Sequence, residues 1–65
     1  MTMYMVRFIR VDGQPEEEYY YQNMQDANIH FDLFREDDSG LYKTIEILQI
    51  CKNRTMQLAK LRLND

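Results

Sequence analysis

From Thr2 to Val11 apolar side chains fill both alternating sets: Tyr4, Val6 and Phe8 on one, Met3, Met5 and Ile9 on the other beside Arg7. A strand that is apolar on both faces belongs in the middle of a sheet. Asp12-Gly13 supplies a turn, because glycine tolerates positive φ and aspartate bonds its own backbone. Pro15 delays pairing, which places a short second strand at about residues 17–22, polar at its start and suited to an edge. Asn23 is a good helix N-cap, with Asp26 three residues on. From there Met24, Ala27, Phe31 and Phe34 recur at helical spacing, with Ile29 and Leu33 widening the stripe. Asp37-Asp38-Ser39-Gly40 ends the helix, and acids at its C-terminus oppose the macrodipole, so the last turn frays before Asp37. Residues 41–51 read as a second long strand, 52–55 as a hairpin loop and 56–63 as the final strand.

The order ββαββ predicts one α+β domain over residues 1–65. If the helix carries the chain over the first strand to the third, every neighbouring pair is antiparallel. The four-stranded sheet then has the order 2-1-3-4, with its apolar strands central and one helix on one face. Val6, Phe8, Ile45, Ile47, Ala59 and Leu61 fall under the helix. The opposite face is assigned Met3, Met5, Ile9, Leu48, Ile50, Met56 and Leu58, set among Arg7, Glu46 and Lys60. No remaining segment covers that face, and an uncovered apolar face marks an interaction surface. Methionines suit it to an adaptable contact.

Size strengthens this expectation. A chain of 65 residues and 8.0 kDa buries only about 60% of the surface its unfolded form exposes. Such scaffolds add disulfides, metals or partners. Cys51 is the single cysteine, so no intrachain disulfide forms, and no Cys/His cluster offers a zinc site. Association is left. The charge distribution points the same way. The net charge is −3, yet between residues 12 and 38 nine acids face Arg35 alone, net −8, while seven bases elsewhere face Glu46 and Asp65, net +5. Asymmetry of this kind favours oriented association. Arg7 and Arg10 interrupt the apolar start before a secretory or membrane segment develops, so the chain reads as cytoplasmic and without a membrane partner. In that setting the Asn53-Arg54-Thr55 sequon carries no meaning.

No catalytic, cofactor or metal signature survives inspection. His30, the single histidine, lies on the helix one turn after Asp26 and reads as a border histidine bonded to it, since no nucleophile is tied to the pair. Glu36-Asp37-Asp38-Ser39-Gly40 with Glu46 imitates an EF-hand loop, but Arg35 then takes the first ligand position and a strand follows. Gly13 and Gly40 are isolated, so no phosphate-cradling loop forms. In Glu16-Glu17-Glu18-Tyr19-Tyr20-Tyr21 the tyrosines suit a protein interface, while the carboxylates repel phosphate.

Three readings follow, none enzymatic. The first is a protein-interaction module, a homodimer packed through the open sheet face. The second is an acidic inhibitor or decoy of a nucleic-acid-binding host protein, acting through Glu16, Glu17, Glu18, Asp32 and Glu36. The third is a weak nucleic-acid binder through the basic sheet residues Arg7, Lys60 and Arg62 with Tyr42 nearby; repulsion by the acids makes nucleic acid the less favoured partner. Over residues 3–50 the layout, with its "DANIHFDLF" and "EDDSGLYKTIEIL" segments, resembles short uncharacterised proteins of bacterial phage and mobile elements. That resemblance implies an accessory protein that binds host machinery, and it carries over no functional residue.

Overall fold

The computed structural model describes residues 1–64. Five elements follow in chain order: β1 Thr2–Arg10, β2 Glu17–Tyr21, α1 Met24–Leu33, β3 Tyr42–Cys51 and β4 Arg54–Arg62. The strands form one sheet in the order β2-β1-β3-β4, every neighbouring pair antiparallel. The helix lies on one face, as the alternation along β1 and β3 requires.

The core lies between them. Val6, Phe8, Ile45 and Ile47 point from the sheet toward Ala27 and Phe31 of α1, and all six are buried. Ala27 is closed completely, so the helix approaches the sheet closely at that turn. Tyr4, Met24, Phe34, Ala59, Leu61 and others pack around this cluster. Asn23 caps the helix: its Oδ1 accepts from the Asp26 backbone N–H at 2.9 Å, and its Nδ2 donates back to Asp26 Oδ2 at 3.2 Å. The helix ends at Leu33, before the acids, and Gly40 at φ +77° turns the chain into β3. Ile29 and Leu33 do not widen the buried stripe; Leu33 is 75% exposed. The sheet is wider than a single helix, and only one strip of α1 reaches it.

That width has a second consequence. The helix approaches β1, β3 and β2, but not β4. β4 also departs from simple alternation. Its partners run Ile47–Ala59 and then Leu48–Gln57, so Leu58 is an extra residue in a β-bulge. An inserted residue reverses the facing of everything before it. Met56 therefore pairs with Gln49 on the helix side, where it is 60% exposed beyond the reach of α1. This corrects the assignment of Met56 to the open face. Gln57 takes that place.

The β3–β4 loop is also tighter than the sequence suggests, with only Lys52 and Asn53 outside the strands. Lys52 sits at φ +57°, a conformation costly to any residue with a Cβ. Replacing Lys52 with glycine is expected to stabilise the protein by about 1 kcal/mol in urea unfolding. Phe8→Ala is expected to cost about 3–5 kcal/mol, enough to leave a domain of this size largely unfolded in the same measurement.

Candidate interaction face

On the face away from α1, the ion pair of Arg7 and Glu46 lies at the centre. Arg7 Nε donates to Glu46 Oε1 at 2.8 Å, and Gln57 Nε2 donates to Glu46 Oε2 at 2.6 Å. Glu46 is only 4% exposed. A carboxylate so enclosed is tolerated when each oxygen has a donor, and the bulge that displaced Met56 is what supplies Gln57. The carboxylate in turn holds the Arg7 guanidinium above its ordinary pKa, chiefly through their hydrogen bond and against some desolvation. Glu16 adds a looser contact to Arg7 at 3.9 Å.

Around this pair the face is mainly apolar. Met5 and Leu48, directly opposed across β1 and β3, are buried although no backbone element crosses the face. Met3, Ile9 and Ile50 are half-buried, whereas Tyr20, Leu58 and Lys60 are exposed. The open face is thus less bare at its centre than a count of its apolar residues predicts. Nine of the ten residues assigned from sequence lie on this face or, for Leu58, in its bulge; Met56 does not.

The acidic set does not form one surface. Glu18 lies on the open face, opposite Arg7. Glu17 turns to the helix side, where it accepts from Arg10 Nη1 at 3.3 Å, Tyr19 Oη at 3.0 Å and Tyr42 Oη at 3.3 Å. Asp32 pairs with Arg35 at 3.2 Å on the exposed side of the helix, and Glu36 is exposed in the turn beyond it. Consecutive strand residues point to opposite faces, so Glu17 is separated from Glu18, while Glu16, just before β2, lies beside Arg7.

A second cluster lies between β2 and α1. The hydroxyl of Tyr21 and Nδ1 of His30 share a hydrogen bond of 2.6 Å. The His30 ring also meets Phe8, Tyr19 and Phe34 at centroid distances of 4.8–5.6 Å. His30 is therefore bonded to Tyr21 and not to Asp26, whose carboxylate serves the helix cap. The sequence signal was present in the tyrosine run, but only the register shows that Tyr19 and Tyr21 share the helix side while Tyr20 faces away. Burial lowers the His30 pKa below 6.5. The arrangement binds the edge strand to the helix; no nucleophile accompanies it. A shallow concavity at the hairpin tip is lined by Cys51, Lys52, Asn53 and Arg54 and brings no acid–base pair together.

Among the described residues no group of three or more His, Cys, Asp or Glu side chains is placed to hold a metal ion, and no helix is long and apolar enough to cross a membrane. Comparison with known proteins returns no match: no family model, no curated protein and no solved structure aligns with the chain.

Removing one member of the central pair leaves the other without its partner. Arg7→Met is expected to cost about 2–3 kcal/mol, below the fully buried range because the guanidinium keeps some water, while Arg7→Met/Glu46→Leu recovers most of it. Urea unfolding of the two variants checks this. The His30 shift has a definite sign: as pH falls below 6.5 the unfolded chain binds a proton that the folded one resists, so stability falls with acidification from there down to the folded-state pKa. His30→Gln is expected to flatten this part of the stability–pH curve.

Proposed function

We propose that this protein is a non-catalytic interaction module whose open sheet face receives a second copy of itself. The observation that carries the reading is a nearly buried carboxylate, Glu46, with both oxygens partnered by Arg7 and Gln57, at the centre of a sheet face that no element of the described residues covers. Enclosing charge in this way costs solvation, and on a plain solvated face exposed charges need no enclosure. Interfaces are apolar at the centre and polar at the rim, so the half-buried Met3, Ile9 and Ile50, and not the charged pair, are the part of this face that resembles one.

The four strands, of 9, 5, 10 and 9 residues, present a face of about 500 Å², so two such faces remove on the order of 1,000 Å², at the lower limit of specific interfaces. Association also offsets the small core of a chain this short. The inhibitor reading has less support, because its five acids are distributed over three surfaces. The nucleic-acid reading has less as well, because Arg7 is neutralised by Glu46. The resemblance to small proteins of phage and mobile elements, which implies an accessory protein that binds host machinery, favours the inhibitor reading and adds nothing to self-association; a cytoplasmic setting suits both.

Size-exclusion chromatography with light scattering is expected to give a dimer at micromolar concentrations. Ile50→Glu, on the open face, is expected to convert it to a monomer whose circular dichroism is unchanged. A monomeric wild type contradicts the reading. So does a dimer that resists Ile50→Glu but is broken by Leu33→Glu on the exposed side of the helix.

A further inference from the structure

Four charged side chains form one transverse row across the open face. The register pairs Glu18 of β2 with Arg7 of β1, Arg7 with Glu46 of β3, and Glu46 with Lys60 of β4. Directly opposed residues on adjacent strands share a face, so the row crosses the whole sheet and alternates minus, plus, minus, plus. Its two central members are paired with each other at 2.8 Å. Its outer members, Glu18 and Lys60, are exposed at opposite edges. Beside it runs a second row of Tyr20, Met5, Leu48 and Gln57.

We infer that this row fixes the symmetry of the self-association proposed above, on which the inference rests: the two copies are related by a two-fold axis parallel to the strands. Rotation about such an axis reverses the row while keeping its height along the strands. Glu18 then faces Lys60 of the second copy, and Arg7 faces Glu46, so all four positions meet an opposite charge. The row of Met3 and Ile50 reverses too, which seats Met3 on Ile50 of the second copy; both are only half-buried and so within reach. An in-plane axis across the strands instead places Glu18 on Glu18 and Lys60 on Lys60. Like charges so opposed, with the two attractive outer pairs lost, disfavour it. Stacked sheets lie about 10 Å apart with strands inclined by about 30°, which displaces the outer members by roughly 4 Å, within reach of glutamate and lysine side chains. The contact is isologous, so it closes at two copies and does not propagate.

Charge reversal tests the axis separately from association itself. Glu18→Lys and Lys60→Glu each place like charges together twice, and each is expected to weaken dimerisation about tenfold. The doubly reversed Glu18→Lys/Lys60→Glu protein restores both outer pairs and is expected to dimerise as the wild type does. Mixing the two single variants is expected to yield a heterodimer tighter than either homodimer. Both sites are exposed, and thermal unfolding of each variant verifies the fold; the neutral Glu18→Gln and Lys60→Gln variants are expected to weaken the dimer by a smaller factor. A dimeric wild type whose single reversals are without effect, or whose double reversal is weaker than either single, overturns the assigned axis and leaves self-association standing. A wild type that stays monomeric overturns both.

Discussion

The ion pair between Arg7 and Glu46 constrains this molecule more than any other contact. A sheet of four strands with a single helix has one face closed by a core and one face without a second layer. The central positions of that second face are occupied by a charge of each sign on the two central strands, and Glu46 is as enclosed as the apolar residues beside it. Its solvation must come from the protein, and it does, through Arg7 on one side and Gln57 on the other. The register of β1 on β3 and the bulge in β4 are both needed for this. A one-residue slip in either pairing would send one donor to the opposite face.

The helix side shows the complementary arrangement. Phe8 is the hub, meeting Tyr19, His30, Phe34 and Tyr42 at ring distances of 4.9–5.8 Å. Glu17 and Arg10 close the rim of this aromatic group, and Arg10 holds Asp12 at 2.8 Å, which lowers the Asp12 pKa to about 2. The polar groups at this end therefore secure the β1–β2 connection. At the other side of the sheet β4 has no such cover. Its bulge and its basic residues are devices that discourage edge pairing with a neighbouring strand, which favours the face over the edge as the contact surface.

Much of this was legible in the sequence. Two apolar strands with both faces occupied, a short polar edge and one capped helix were enough for the element order and the strand order. The helix-side core followed from alternation alone, and Ala59 and Leu61 lie on that side as expected. What was not legible depended on single-residue shifts and on lateral reach. Alternation read through Leu58 puts Met56 with Lys60, and nothing local announces the bulge. The i, i+4 spacing of Asp26 and His30 suggested a bond, yet the cap claimed Asp26 and the register brought Tyr21 to His30. Ile29 and Leu33 match the helical pattern, but one helix buries only the strip that touches the sheet. The glutamate run looked like one surface because the sequence lists neighbours, whereas the strand turns Glu17 to the helix side and Glu18 away from it.

The sequence set Arg7, Glu46 and Lys60 among the apolar residues of the open face; the structure adds that Glu46 is buried there and held by Arg7 and Gln57 through the same cross-strand pairs that set the register. The charge asymmetry along the chain thereby becomes a geometric property, with an acid at the β2 edge and a base at the β4 edge of one face. The most direct measurement is an isotope-filtered nuclear Overhauser spectrum on an equimolar mixture of labelled and unlabelled protein. From self-association about the assigned axis, contacts are expected between the Met3 methyl group of one copy and the Ile50 methyl groups of the other. Intermolecular contacts that instead connect Ile29 and Leu33 of the two copies, or none at concentrations well above micromolar, would contradict it.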